Sequence, residues 1–177
     1  MKYTQEYMAL MKQEAPHLMD HLRYLEVLSE ESNRGAVLVT ASMLDDVLTK
    51  LLLARLAEGK SATKLLTGFN APLGTFSAKV AAARATGLIS EEWRRELDLL
   101  RGIRNEFAHS VTATLGDASI LNKCNELRLC LPEKAKDAEG ARTRYWMSAT
   151  AILMNSLNAL HEGTVVRIIP IGCQPPC

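Results

Sequence analysis

The sequence predicts an all-α protein folded as a compact helical bundle. Two segments carry apolar side chains at the three- and four-residue spacing that places them on one side of a helix. These side chains are Trp93, Leu97, Leu100, Ile103 and Phe107 in one segment, and Trp146, Ala149, Leu153, Leu157 and Leu160 in the other. Residues 34–58 are dense in Val, Leu and Ala on more than one side, which is typical of a central, mostly buried helix.

The first third of the chain predicts short helices followed by the central one. Residues 3–28 are expected to form one or two short helices, and the polar residues 30–33 provide a cap-like break. The central helix should extend over residues 34–58, and Gly59 should terminate it.

The middle of the chain predicts a packed connection and two further helices. Residues 59–74 contain proline and three glycines, with a turn of helix over residues 63–67. Phe69, Pro72 and Leu73 indicate that this connection packs against the protein. Thr75 is a good N-cap for a helix that ends at Gly87, and Ser90 is a good N-cap for a helix that ends near Ser110.

The C-terminal third predicts two helices and a tail. Residues 111–115 are β-prone but few, residues 117–131 form a helix, residues 132–140 a charged loop and residues 142–161 the last helix. Residues 164–171 have strand-like composition without a partner strand, so we expect them to run extended over the bundle or across a partner. The expected division is a single helical domain, residues 1–163, and an extended or flexible tail, residues 164–177.

The charge balance argues against a dedicated binder of duplex DNA. Twenty-one basic residues are matched by 20 acidic ones, which leaves a net charge of +1 and no basic face. The chain shows neither a secretory signal nor an apolar run that spans a membrane, so a cytoplasmic protein without a membrane partner is expected.

No cofactor and no metal site are expected. Cys124, Cys130, Cys173 and Cys177 lack CxxC spacing, so free thiols in a reducing compartment are the predicted state. His17 and His21 lie four residues apart without a carboxylate that completes a known zinc pattern, so they are interpreted as a surface pair.

Polar residues gather at the end of the helix that begins after Ser90. Arg101, Asn105 and His109 lie four residues apart and therefore share one face. Arg104 and His109 lie five residues apart, about 140° around an ideal helix. They can converge on one ligand only if the helix end loosens or a partner chain supplies half of the site.

Two carboxylates interrupt the most apolar helix. Asp45 and Asp46 stand next to Leu44, so we expect at least one of them at the edge of the core, where a carboxylate needs a partner. Arg34 lies three turns away on the same helix, which is too far. The predicted partners are therefore Arg101 and Arg104; the alternative is that both aspartates are exposed.

Residues 104–109, with the letters RNEFAH, resemble the R-x4-H motif of HEPN domains. These are helical, usually dimeric domains, of which many are metal-independent ribonucleases. The resemblance implies that Arg104 would hold a phosphate, that His109 would transfer a proton and that Asn105 would support them.

A second resemblance covers residues 31–109. The segments ESNRGA (31–36), LDDVL (44–48), GFNAPLGTFS (68–77) and RNEFAH (104–109) are similar, in this order, to the mannitol operon repressor family. This implies a cytoplasmic bacterial regulator, a homodimeric module that acts through a macromolecular partner rather than by sequence-specific DNA binding. Arg101, Asp45, Asp46 and Arg34 are its candidate binding residues.

Regulator and ribonuclease are thus the two hypotheses, and the regulator is preferred; the partner is a protein or RNA. An open cationic cleft lined by Arg104 and His109 would favour the enzyme. An Arg104 locked to Asp45 or Asp46 would favour the regulator.

Overall fold

The computed structural model describes residues 3–57, 59–130 and 133–163, and these residues form helices connected by turns, without a strand. The helices are α1 (Gln5–Glu14), α2 (Met19–Glu30), α3 (Asn33–Arg55), α4 (Lys60–Leu66), α5 (Phe76–Ala85), α6 (Glu91–His109), α7 (Ala118–Glu126) and α8 (Ala138–Glu162). A 3-10 turn, Pro16–Leu18, precedes α2. The predicted all-α bundle is confirmed.

Helix α3 is the centre of the bundle, as its composition predicts. It packs against α5, α6 and α8 and buries residues on several sides. Its polar groups are satisfied where it passes through the core: the Tyr145 hydroxyl of α8 donates to the Val37 carbonyl at 3.2 Å, and Thr40 pairs with the Tyr24 hydroxyl of α2 at 2.7 Å. Helix α6 buries the predicted apolar stripe against it.

The caps around α5 and α6 are those that the sequence predicts. Thr75 accepts a hydrogen bond from the amide of Ala78 at 3.2 Å, which starts α5. Gly87 has a φ of +73°, and the amide of the following Leu88 bonds back to the carbonyl of Ala83, so the chain leaves α5 through a left-handed stop. Ser90 then caps α6.

Gly59 does not end the central helix. Helix α3 ends three residues earlier than predicted, at Arg55, and Gly59, with a φ of +136°, is the residue before α4 instead. The prediction was wrong because the apolar pattern continues through Leu56 while the backbone there is already extended. The predicted helical turn over residues 63–67 is the full helix α4.

The connection between α4 and α5 is only partly packed. Leu73 contacts the core and its amide bonds to the carbonyl of Leu65 at 2.8 Å, but Phe69 is 97% exposed. The expectation that Phe69 packs down is therefore wrong. Gly68 and Asn70 both have positive φ, and the turn that they form directs the Phe69 side chain to solvent.

Elements of the C-terminal third differ in length from the predictions. Residues 111–115 form turns, and α7 ends at Glu126 rather than at residue 131. Helix α8 starts earlier than predicted, because Asp137 caps it through the amide of Gly140. The predicted tail, residues 164–177, lies outside the described residues. Within the described ranges, none of the helices has the length and apolarity to cross a membrane.

Candidate functional site

A cavity of about 440 Å³ lies where α3, α5 and α6 meet. Helix α6 turns its apolar stripe inward, so its polar residues near the C-terminal end face the rim of the α3–α5 contact. Three of the four segments that carry the repressor resemblance contribute to the lining. The lining residues are Ala41, Ser42, Asp45, Thr75, Phe76, Ser77, Arg101, Arg104 and Asn105.

The partner of Asp45 is Lys79, not an arginine of α6. Lys79 is 4% exposed, and its Nζ lies 2.7 Å from Asp45 Oδ2. Asp46 points to solvent and pairs with Lys50 one turn further along α3, at 2.8 Å. The predicted pairing with Arg101 or Arg104 was wrong because α5, which also packs against α3, brings a cation of its own to Asp45.

The two arginines on the cavity wall, Arg101 and Arg104, each make one polar contact with another side chain. Arg101 lies 3.5 Å from Asp98 Oδ1 and its side chain is 34% exposed. Arg104 is exposed and donates to Asn105 Oδ1 at 3.1 Å. Because Asn105 uses its oxygen for this bond, its amide nitrogen keeps two hydrogens for other partners.

His109 does not share this cavity. It is exposed in the last turn of α6, and the cavity is lined by Arg104 without His109. Within the described part of one chain, Arg104 and His109, the two ends of the R-x4-H motif, are thus not placed to contact the same ligand. A cleft lined by both Arg104 and His109, which would favour the enzyme, is thus not formed by these residues. The pairing of Arg104 with Asp45 or Asp46, which would favour the regulator, is not formed either, because these aspartates pair with Lys79 and Lys50.

Arg34 holds the end of α6 that carries His109. It donates to the carbonyl of Phe107, and also to the carbonyls of Ser110 and Val111 at 2.6 and 2.7 Å. Its guanidinium lies 5.5 Å from the centre of the Phe107 ring. The last carbonyls of a helix lack partners within it, so Arg34 stabilises this helix end. Its role in the described chain is structural.

Glu106, in the middle of the motif, fastens α6 to α7. Its carboxylate accepts hydrogen bonds from Lys123 and Ser119. These bonds, that from Lys123 first, hold the pKa of the Glu106 carboxyl below its ordinary value. Glu106 therefore remains ionised and engaged, and it is not a free base beside His109.

A larger cavity, about 890 Å³, lies between α6 and the segment after α7. Its wall contains two buried charges. Glu96 is 3% exposed and accepts from Ser148 Oγ and from the Arg128 amide, both at 2.6 Å. Arg144 is 5% exposed and donates to the carbonyls of Cys124, Leu127 and Glu133.

Among the residues that the structure describes, the sequence reasoning missed the buried charges of Lys79, Glu96 and Arg144. For Glu96 a signal was present, because it lies three residues after Trp93 and four before Leu100 and therefore falls within the apolar stripe. Lys79 likewise stands next to Val80 in an alanine-rich helix. A charge inside a buried stripe predicts an ion pair or a hydrogen-bond network.

His21 is not on the surface, in contrast to its interpretation as part of a surface pair. It is 2% exposed, and burial lowers its pKa. His17 instead stacks on His161, with ring centres 4.0 Å apart, and its Nε2 donates a hydrogen bond to Asn158 Oδ1 at 3.0 Å. Across the described part of the chain, no group of three His, Cys, Asp or Glu is placed to hold a metal ion.

The fold and the site together define an all-helical bundle with a polar cavity beside its central helices. This fold is similar to that of one chain in the solved X-ray structure of the MtlR–HPr complex from Escherichia coli. The two share a TM-score of 0.53 and 22% sequence identity, over 81% of this chain and 97% of the other. The MtlR-like fold that the sequence resemblance implies is therefore supported.

No model of a known protein family matches the chain. No curated protein matches it either.

Proposed function

We propose that the chain is a bacterial regulatory protein, related in function to mannitol operon repressors, that acts by binding a protein partner. One observation carries this proposal. The chain matches 97% of the length of a chain that was solved in a complex of two proteins, MtlR and HPr. The four ordered segments between residues 31 and 109, which resemble the mannitol operon repressor family, also support a regulatory protein. We further propose a homodimer in the cytoplasm.

The use of basic side chains within the molecule supports a protein partner over duplex DNA. Arg94 is bound by Glu91 and Asp98, and Arg34 and Arg144 are bound by main-chain carbonyls. A DNA-binding surface needs several cations that are free to displace counterions from phosphates. The net charge of +1 leaves little of this driving force.

Phe69 is the proposed anchor of the partner contact. It is 97% exposed, while the backbone around it is fixed by bonds from Leu73 to Leu65 and from Gly74 to Ala71. An aromatic side chain on a fixed loop loses little conformational freedom on binding, and aromatic anchors contribute much of the affinity in protein interfaces.

A binding measurement tests this function. Purified HPr from Escherichia coli is titrated into the chain by isothermal titration calorimetry, and F69S is compared with V111S. Val111 is 93% exposed but lies outside the four segments, so it is a matched control. We expect binding by wild type and V111S and at least tenfold weaker binding by F69S. Absence of heat with HPr would contradict an HPr-like partner, and equal binding by both variants would contradict the Phe69 contact.

A ribonuclease is the second candidate function. It is favoured by one observation, that Arg104 and His109 are both exposed near the same end of α6, where a second copy of the chain can complete a site. Incubation of purified protein with single-stranded RNA in EDTA tests it. We expect no cleavage. Robust cleavage that disappears in H109A and in R104A would establish the enzyme in place of the regulator.

The division of the chain into residues 1–163 and a tail also remains a proposal. A chain ending at residue 163 should fold and keep the melting temperature of the full chain. A large loss of stability would mean that residues 164–177 belong to the domain.

A further inference from the structure

We propose that the cavity between α3, α5 and α6 binds a small molecule that carries a phosphate or carboxylate group, with Arg101 and Arg104 as its principal ligands. This inference goes beyond the binding of a protein partner and does not depend on it.

The hydrogen-bond donors on the wall carry the inference. Arg101 has one long contact, at 3.5 Å to Asp98, and Arg104 has one bond, to Asn105. Each guanidinium offers five N–H groups in a planar fork that matches the two oxygens of a carboxylate or phosphate. Within the described chain, most of these donors are thus not used by protein acceptors, and both side chains line the cavity.

The charge around the cavity is also favourable for an anion. Asp45 is the carboxylate in the wall, and the buried ammonium of Lys79 neutralises it. Asp98, the other nearby carboxylate, is engaged more closely by Arg94 than by Arg101. The two arginines therefore keep positive charge that an anionic group can neutralise.

The size and the remaining lining define the class of ligand. A volume of about 440 Å³ lies in the range of small-molecule sites. Ser42 and Ser77 contribute hydroxyls and Phe76 an apolar surface. The Ser42 hydroxyl donates to the Leu38 carbonyl, so its oxygen is left as an acceptor. The ligand is therefore a small anion that also carries hydroxyl groups, which can donate to Ser42 and to Asp45.

The larger cavity does not show this pattern. Its wall contains both Arg95 and Arg128 and the carboxylates Glu92 and Glu126, so it carries charges of both signs. Arg95 lies on the same helix as Arg101 and Arg104 and is exposed. It therefore serves as a matched control for a general effect of removing positive charge from α6.

Titration calorimetry with glycerol 3-phosphate and with inorganic phosphate, at constant ionic strength, tests the proposal. We expect glycerol 3-phosphate to bind wild type with a Kd of about 1 mM or tighter, and R95Q to bind equally well. R101Q and R104Q should each bind about tenfold more weakly or worse, since each loses charge-assisted bonds. Glycerol without phosphate should not bind.

Folding is checked by the melting temperature of each variant, and if R101Q is unfolded, R104Q alone decides. The proposal is overturned if wild type binds neither anion at 20 mM, a limit of about twenty times the expected Kd. It is overturned as well if R95Q weakens binding as much as R104Q, which indicates unspecific charge attraction. Binding of a single-stranded RNA oligomer without binding of either small anion also overturns it and favours the ribonuclease.

Discussion

Lys79 Nζ lies 2.7 Å from Asp45 Oδ2, which makes this pair the charged link between α3 and α5. Lys79 is almost fully buried, so its ammonium depends on Asp45 for neutralisation, whereas Asp45 is about one third exposed. A buried charge without its partner is strongly destabilising, typically by about 3–5 kcal/mol.

The first prediction follows from this pair. D45N should lower the free energy of unfolding by about 3 kcal/mol, near the lower end of that range because solvent reaches part of Asp45. D46N is the control, since the Asp46–Lys50 pair is exposed and should contribute about 0.5 kcal/mol or less. Urea unfolding measures both. Equal effects of the two substitutions would contradict the assignment of Lys79 to Asp45.

The second prediction concerns Arg34. R34A should lower stability by about 2 kcal/mol, because charged hydrogen bonds to the carbonyls at the end of α6 are lost. R34K should restore little of this, since an ammonium cannot reproduce the fork that reaches Phe107 and Ser110 together. Hydrogen exchange should become faster in the last turn of α6 and remain unchanged at the start of that helix. Uniform exchange changes would argue against a local role.

The third prediction is a pH dependence caused by His21. Burial lowers its pKa in the folded state, so on acidification the unfolded chain takes up the proton first. Stability contributed by the neutral side chain is present above the unfolded pKa of about 6.5 and is lost as the pH falls below it.

Urea unfolding between pH 7.5 and 5.5 measures this loss, with a slope of at most about 1.4 kcal/mol per pH unit from one proton. H21F should flatten the profile. The carboxylates with lowered pKa, such as Glu91 at about 2, titrate below this window. A wild-type profile without slope would show that His21 is solvated in solution.

The fourth prediction concerns the buried carboxylate of α6. E96A should cost about 3 kcal/mol of stability, because the Ser148 hydroxyl and the Arg128 amide both lose their acceptor inside the protein. E92A, an exposed carboxylate on the same helix, should change stability by less than about 0.5 kcal/mol. Thermal unfolding compares the two. A Tm for E96A equal to that of E92A would mean that the segment after α7 is not held by Glu96.

The fifth prediction concerns DNA. The purified chain should not form a sequence-specific complex with duplex DNA at physiological salt, because little counterion release is available to a protein of near-zero net charge. Gel-shift titration against operator-length fragments is the measurement. A specific complex with a Kd of about 10 nM or tighter would contradict this prediction.

The fold could be predicted from the sequence because local signals agreed with the packing. The stripe from Trp93 to Phe107 and the caps at Thr75 and Ser90 depend on neighbouring residues only, and all of them are present in the structure. Gly59 failed as a helix end because the apolar pattern continues through Leu56, where the backbone is already extended.

The sequence singled out several residues that line the cavity, but it also named Arg34, Asp46 and His109, which do not line it. Asp45, Arg101, Arg104 and Asn105 do line one cavity, but the partner of Asp45 comes from α5. The sequence shows that a carboxylate in a buried helix needs a cation, and it does not show which helix lies opposite. The assignment of Arg101 and Arg104 to ligand binding stays a prediction.

Two buried charged side chains, Glu96 and Arg144, bind the main chain of the segment after α7. Glu96 accepts from backbone amides and Arg144 donates to backbone carbonyls, atoms that nearly every amino acid provides. An exposed side chain such as that of Arg128 can therefore be exchanged without loss of these bonds, unless the new residue is proline, which lacks the donated hydrogen. Leu127, in contrast, is part of the core and has to stay apolar. Two residues elsewhere in the chain thus make the exposed positions of this rim suited to loop grafting, in which surface side chains are replaced while the backbone keeps its path.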